Sequence, residues 1–399
     1  MKILVLNAGS SSQKSCLYDV GEALPELPAE PLWEAKIDWS AGVVEVKTAA
    51  GESLEQQISG DERSSAIAQM LNTLWQGTTS VISRLSDIDV VGHRVVHGGD
   101  KYRQATRVTP EVKEAIASFS AIVPEHNPAH LEGMEAIEQI LPNVPQVAVF
   151  DTAFHAQIPL AAAVYPLPEQ FFEQGIRRYG FHGISHQYCL QRATQILGKE
   201  EQYARMITCH LGNGCSLAAI RDGVCVDTTM GYTPLEGLMM GSRSGSVDPA
   251  ILIQLLRQGY DAQQLNHLLN QESGLKGLSG VSNDLRQIRD AIASGNKQAQ
   301  LAWDVYQHRL RFYLGAMLTS LGGLDALVFT AGVGEHYAPV RTAGCEALEF
   351  LGLKLDEEKN NASPVDTDIA TADSAVRVLV IHTQEDWAIA QECWKLSHS

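Results

Sequence analysis

Arginine and histidine recur beside glycine in this chain, a pairing unusual for surface charge. The densest case is Arg177-Arg178-Tyr179-Gly180-Phe181-His182-Gly183-Ile184-Ser185-His186, where cationic, imidazole and aromatic groups crowd ahead of a helical stretch. Ser185 reads as the N-cap of that helix, which leaves Arg178, Phe181 and His182 without a structural duty. Gly92-His93-Arg94-Val95-Val96-His97-Gly98-Gly99 sets Arg94 among apolar strand residues. Its guanidinium must therefore reach a partner, either a structural carboxylate or a bound anion. Gly241-Ser242-Arg243-Ser244-Gly245 puts another arginine in a small-residue loop, where a guanidinium can grip an anion through two parallel hydrogen bonds. His182 and His186 stand four apart, but the turn lies between them and no third ligand is obvious, which argues against a metal pair.

Glycine loops supply the complementary half of such chemistry. Between Met206 and Asp227 two apolar segments are broken by His210-Leu211-Gly212-Asn213-Gly214, and Asp222-Gly223 marks a following hairpin turn. Without Cβ atoms, the loop's backbone N-H groups can approach an anion closely. The N-terminus repeats the pattern, with an apolar strand, a small-residue loop from Asn7 to Ser12, and Lys14 just beyond. A third version lies at Ala326 to His336, with Gly332-Val333-Gly334-Glu335-His336 as its loop. One such loop would be a plain hairpin; three imply phosphate contacts. Asp151 ends a strand and Glu385 begins the last helix, positions where carboxylate oxygens suit a bound Mg²⁺. Together these groups point to phosphoryl transfer.

The elements that must position them follow an α/β rhythm. Gln146 to Phe150 reads as a strand ending at Asp151, Ile88 to Val96 as a buried strand, and Trp33 to Ala49 as a hairpin. Helices are expected over Ser64 to Leu74, from a Thr109-Pro110-Glu111 start, and over Pro128 to Ile140, Ser185 to Leu197, Pro249 to Gln258, Gln300 to Leu321 and Glu385 to Leu396. Gly274 to Asn283 reads as a Gly-Ser-rich loop. The strand and glycine loop of the N-terminus recur at Met206, so two α/β units are expected, one over residues 1–150 with the C-terminal helix 386–399 and one over 151–385. A length of 399 residues suits two cores.

Composition narrows the class. Hydrophobic residues at 45% and charged residues at 19% describe an ordinary globular enzyme. A net charge of -17 offers no footprint for nucleic acid or an anionic membrane, so neither partner is expected. Seven scattered cysteines without Cys-x-x-Cys pairs exclude a disulfide framework and a zinc site, and fit a reduced cytoplasm. The run Ile3 to Leu6 is too short for a signal segment, and no later run approaches a membrane span.

Read together, the blocks NAGSSSQK (7–14), GHRVVHGG (92–99), VFDTAFH (149–155), RRYGFHGISH (177–186), CHLGNG (209–214), MGYTPLEGLMMGSRSG (230–245), GLSGVSNDLR (277–286) and FTAGVGEH (329–336) resemble the acetate kinase family. The resemblance implies two duplicated actin-like, ribonuclease H-like domains around a nucleotide cleft, in a cytoplasmic homodimer. It implies reversible transfer of the ATP γ-phosphoryl group to acetate, giving acetyl phosphate and ADP, with Mg²⁺ or alternatively Mn²⁺. On the same resemblance Asn7 and Glu385 hold the metal, Lys14 meets an ATP phosphate, and Arg94 holds the substrate carboxylate. Asp151 is the acid/base or orienting group, and His182 and Arg243 stabilise the transition state. The nucleotide follows His210, Leu211, Gly212, Asn213 and Gly214, then Asp284, Leu285 and Arg286, then Gly332, Val333, Gly334, Glu335 and His336. Val96, Phe181 and Pro234 line the acyl methyl pocket.

Departures from the family pattern are His336 for an asparagine, Gln384 within Thr383-Gln384-Glu385, and Glu125 where an apolar pocket residue is usual. An unpaired buried carboxylate is costly, so Glu125 leaves acyl-chain preference open. The alternatives are a propionate kinase on the same scaffold and a non-catalytic nucleotide switch. The switch would have nucleotide loops without Arg94, His182 and Arg243.

Overall fold

The computed structural model describes residues 1–9, 12–59, 63–124, 126–198, 204–362 and 365–399. Glu125 lies outside the described residues. The chain divides into two compact units, Met1–Ala153 with Gln384–Ser399, and Phe154–Thr383. Asp151 and Glu385 thus fall in the first unit rather than the second. The backbone shows why for Asp151, whose N-H donates to the Val95 carbonyl at 2.9 Å and continues the sheet of the first unit.

The first unit is built on β1 (Lys2–Ala8), β2 (Ser12–Asp19), β3 (Trp33–Asp38), β4 (Val43–Thr48), β5 (Ser53–Gln57), β6 (Val90–Val95), β7 (Thr106–Arg107) and β8 (Gln146–Phe150). They form one sheet in the order β5-β4-β3-β2-β1-β6-β8-β7. β1 pairs antiparallel with β2 and parallel with β6. Strands β3 and β4 alternate buried and exposed residues, the period-two pattern of a sheet with one face on the core. Trp33, Ile37, Val44 and Val46 meet Ile67 and Met70 of helix Arg63–Asn72 and Ile137 of helix Asn127–Ile140. The C-terminal helix Glu385–Ser397 packs against β1 and β6. Its approach depends on Gly92, where a Cβ would lie 2.6 Å from Cys393 Sγ and 2.7 Å from the Ile389 side chain.

The second unit carries β9 (Arg205–Leu211), β10 (Cys215–Arg221), β11 (Val224–Thr228), β12 (Ala326–Thr330), β13 (Thr367–Asp368) and β14 (Arg377–Val380). Their order is β11-β10-β9-β12-β14-β13, with β12 parallel to β9 and β14. The run β11-β10-β9-β12-β14 repeats β3-β2-β1-β6-β8 in order and direction, so both units follow the same topology. This is a mixed α/β fold of two actin-like domains. The hairpin between β10 and β11 turns through Asp222 and Gly223, both at positive φ, as Asp-Gly predicts.

Three local expectations change. Gly274–Ser279 is a short helix rather than loop, because Leu275 is buried and the Leu275 and Lys276 N-H groups donate to the Met240 and Gly241 carbonyls. The last glycine loop folds as helix Ala331–His336, entered through Ala331 at φ 64°. Ser185 does not cap its helix: the helix starts at Gly183, with His182 in the capping position. All seven cysteines are buried and free. Among the described residues no helix is long and apolar enough to cross a membrane.

Candidate active site

In the first unit a charged cluster gathers at the ends of parallel strands. Arg94, on β6, donates from Nη2 to Asp151 Oδ2 at 2.7 Å and from Nε to the same oxygen at 3.2 Å. Its Nη1 donates to Asn7 Oδ1 at 3.3 Å and stands 4.0 Å from Glu385 Oε2. Register brings these groups together, since Leu6 pairs with His93 and Val95 with Phe150. Asp151 is only 1% exposed. Burial pushes its carboxyl upward from the usual range while the Arg94 guanidinium pulls it back. Burial likewise opposes charge on Arg94, but Asp151 and then Glu385 outweigh it and keep the guanidinium protonated. The two roles open to Arg94 are thus compatible, because one edge of the fork holds Asp151 and the other turns toward Asn7 and Glu385.

Asp386 belongs to this cluster and was missed in the sequence. It is partly buried and accepts a hydrogen bond from Asn7 Nδ2 at 2.7 Å. Burial raises its carboxyl pKa, with the Asn7 hydrogen bond acting in the opposite sense. By engaging the amide nitrogen, Asp386 fixes which way Asn7 points its oxygen. An amide oxygen and the Glu385 carboxylate make a hard-oxygen pair that fits Mg²⁺, an ion that takes few protein ligands and keeps several waters. Among the described residues no group of three His, Cys, Asp or Glu is placed to hold a metal ion, so an all-protein cage is absent. Lys14, exposed on β2, pairs in register with Asn7. Val96, just after β6, is buried.

In the second unit the arginine- and histidine-rich stretch resolves into separate tasks. Arg178 donates to Glu236 Oε1 at 2.8 Å and to the carbonyls of Thr229 and Met230. Tyr165 also donates to Glu236. Arg178 is therefore a brace for the segment that carries Pro234. Arg243 Nη1 in turn donates to the Pro234 carbonyl at 3.3 Å. Phe181 is buried, its carbonyl 3.0 Å from His155 Nε2. Gly180, at φ 78°, faces the His155 ring, which a Cβ would meet at 2.6 Å.

His182 sits in the left-handed region at φ 57°, a conformation that costs free energy for a residue with a side chain and tends to persist at functional sites. Its Nδ1 is 2.9 Å from Ser216 Oγ, and its ring stacks on His210 at 4.1 Å. His210 Nδ1 lies 2.8 Å from Ser185 Oγ, which explains what that serine does instead of capping. A Cβ at Gly214 would lie 3.4 Å from Arg243 Nη1 and 3.5 Å from His182 Nε2, so both side chains approach the glycine loop.

Gly212 and Asn213 of that loop also border a cavity of about 430 Å³, lined further by Asn283, Asp284, Leu285, Arg286, Gly332, Val333, His336 and Tyr337. Its volume lies in the range of small-molecule sites. Of the sequence-derived nucleotide residues, His210, Leu211, Gly214, Gly334 and Glu335 do not line it. Leu211 is core, and buried Glu335 accepts from the Ala331 and Thr383 N-H groups. Burial raises the Glu335 pKa, but the contact with His382 at 2.6 Å outweighs it and holds the carboxyl below its usual range. Asn283 and Tyr337 were missed. Asn283 Nδ2 donates to Asn213 Oδ1 at 3.2 Å, and Tyr337 is edge-on to Trp303 at 5.8 Å. An aromatic directly after the last glycine loop was the available signal.

Comparison with known proteins gives this geometry a family. A model of the Acetokinase family matches residues 2–391. The acetate kinase of Nostoc punctiforme is 66% identical over 402 residues, covering 99% of each chain. The crystal structure of Porphyromonas gingivalis acetate kinase superposes with a TM-score of 0.91 at 40% identity, covering 99% of both chains. A propionate kinase from Francisella tularensis gives 0.88 at 37% identity over 98% of each. With the family model spanning nearly its whole length, the chain belongs to the acetokinase family and is a kinase that acts on acetate.

Proposed function

We propose that the chain catalyses reversible transfer of the ATP γ-phosphoryl group to acetate, giving acetyl phosphate and ADP, with Mg²⁺ bound. The observation that carries this reading is the approach of Arg243 Nη1 and His182 Nε2 to Gly214, in the loop whose Gly212 and Asn213 line the 430 Å³ cavity. Phosphoryl transfer passes through a loose transition state with charge spread over equatorial oxygens, so positioned donors and cations supply most of the catalysis. Arg243 and His182 would meet those oxygens. Lys14 would contact an ATP phosphate, and the cavity would take the nucleoside.

Acetate is ionised at neutral pH, so no strong base has to create the nucleophile. Arg94 would bind its carboxylate through the edge turned away from Asp151. Asp151 would then act by orienting the guanidinium, a duty that the two hydrogen bonds to one carboxylate oxygen support. Asn7 and Glu385 would hold the Mg²⁺, which supplies charge neutralisation at the transferring phosphoryl. Val96, Phe181 and Pro234 would border the acyl methyl.

Relatives at 60–66% identity bear the name acetate kinase, against 37% for the propionate kinase neighbour, which favours acetate. A cytoplasmic location accords with the free, buried cysteines, and homodimerisation accords with the family resemblance. The test is acyl phosphate formation, captured as the hydroxamate, with acetate and propionate at equal concentration. Higher kcat/KM for acetate is expected; a clear preference for propionate would reassign the substrate.

A further inference from the structure

Behind His182 runs a row of polar side chains that its own role does not require. Ser216 Oγ lies 2.9 Å from His182 Nδ1 and 2.8 Å from His186 Nε2, while His186 Nδ1 lies 2.7 Å from Thr208 Oγ1. Ser216, His186 and Thr208 are all fully buried, at 0% exposure. Burial drives the His186 pKa well below its usual value, so this imidazole is neutral and carries a single N-H.

Each hydroxyl also has a single hydrogen, so the donations run in one of two directions along the row; a Ser216 that accepted from both rings would leave its own buried hydrogen unsatisfied. In one, Thr208 donates to His186 Nδ1, His186 Nε2-H donates to Ser216, and Ser216 donates to His182 Nδ1. In the other every bond is reversed, and the Thr208 hydrogen then needs a further acceptor. Among the described residues His186 is the only hydrogen-bond partner of the Thr208 hydroxyl. The reversed arrangement would leave a buried donor unsatisfied, which costs the full desolvation of that group. Resting on the phosphoryl-transfer reading, we infer that Thr208, His186 and Ser216 form a directional relay of hydrogen bonds that fixes the tautomer of His182. Ser216 donates to Nδ1, and the His182 hydrogen is thereby placed on Nε2, the atom that approaches Gly214 beside Arg243. Ser216 and His186 are positioning residues, and the neutral His182 ring presents a donor to a phosphoryl oxygen without first taking up a proton. Stacking on His210 and the left-handed backbone at His182 hold the ring in the plane this requires.

The experiment records ¹⁵N spectra of the histidine ring nitrogens in the full-length protein, with steady-state kinetics on the same samples. In the wild type the neutral His182 ring is expected to show a protonated Nε2 and a bare Nδ1. Ser216→Ala should mix the two tautomers and lower kcat about tenfold, the effect of one lost hydrogen bond at the strong end of the ordinary range, with both KM values within about twofold. Thr208→Val, which keeps the strand shape, should shift the His182 tautomer in the same direction by less. It serves as the reporter if Ser216→Ala folds poorly. An unchanged His182 tautomer in either folded variant would overturn the relay, as would a wild-type His182 protonated at Nδ1 alone. Loss of the phosphoryl-transfer reading would show differently, as His182→Ala retaining wild-type kcat.

Discussion

The two units share a run of five strands and differ in the groups they gather at its ends. In the first, charge gathers at strand and helix ends: Arg94 pairs with Asp151 and approaches Glu385, while Asp386 accepts from the Asn7 amide. In the second, the corresponding β9-β10 region carries imidazoles, hydroxyls and glycines, with a neutral His186 joined to Ser216 and Thr208 in a hydrogen-bonded row. A paired guanidinium can anchor a small carboxylate because Asp151 already compensates part of the cost of burying it. A polyanion is better met by backbone N-H groups, neutral donors and a single added cation. Common topology therefore does not dictate a common way of handling charge; the substrate that each unit would meet does.

The comparison breaks most visibly at Asp151. Asp151→Ala leaves the Arg94 guanidinium with Glu385 at 4.0 Å as its nearest carboxylate and should cost about 3 kcal/mol of stability. A denaturant midpoint equal to wild type would show that the pair does not hold the first unit together. In the second unit the expectation concerns rate. His182→Ala and Arg243→Ala should each lower kcat by about a hundredfold, the effect of losing one preorganised donor, with little change in the KM for ATP. Either variant at wild-type kcat would return that residue to structure. Glu385→Ala should need several times more Mg²⁺ for half-maximal rate, with an unchanged melting midpoint in the absence of nucleotide. Early unfolding with normal use of Mg·ATP would make Glu385 a helix-start residue only.

Acidification sharpens the neutral side of the comparison. Burial lowers His155 in the second unit and His93 in the first to about 4, from an ordinary 6.5. Between those values the unfolded chain binds more protons than the folded one, so stability falls on acidification. Each group contributes up to about 1.4 kcal/mol per pH unit in that window. The melting temperature should drop from about pH 7 to about pH 5, and a flat profile would mean these rings are solvated.

Much of this is legible in the sequence. Apolar runs located the buried strands, down to Gln146–Phe150 and the Asp-Gly hairpin, because strand burial writes itself into local pattern, whereas the polar β5, β7 and β13 left no such signal. Helix Gly274–Ser279 was hidden because its glycines and serines read as loop, while its support comes from carbonyls of the Met240–Gly241 segment. Ser185 misled because a serine ahead of an apolar run resembles a cap, whereas His210, twenty-five positions away, claims its hydroxyl. Asp386 could not be placed because its partner, Asn7, is 379 positions distant. Ser216 and Thr208 carry no local signal at all, since an alternating strand hides which hydroxyl faces a histidine.

The central claim is that one unit binds the carboxylate and the other stabilises the moving phosphoryl group. Arg94→Ala and Arg243→Ala, assayed side by side for acetyl phosphate formation, test it directly. Arg94→Ala is predicted to raise the acetate KM by one to two decades, as expected for loss of a charge-assisted hydrogen bond of about 1.5 to 3 kcal/mol, while Arg243→Ala lowers kcat and leaves that KM near wild type. Identical patterns in the two variants, or an unchanged acetate KM in Arg94→Ala, would contradict the division of labour.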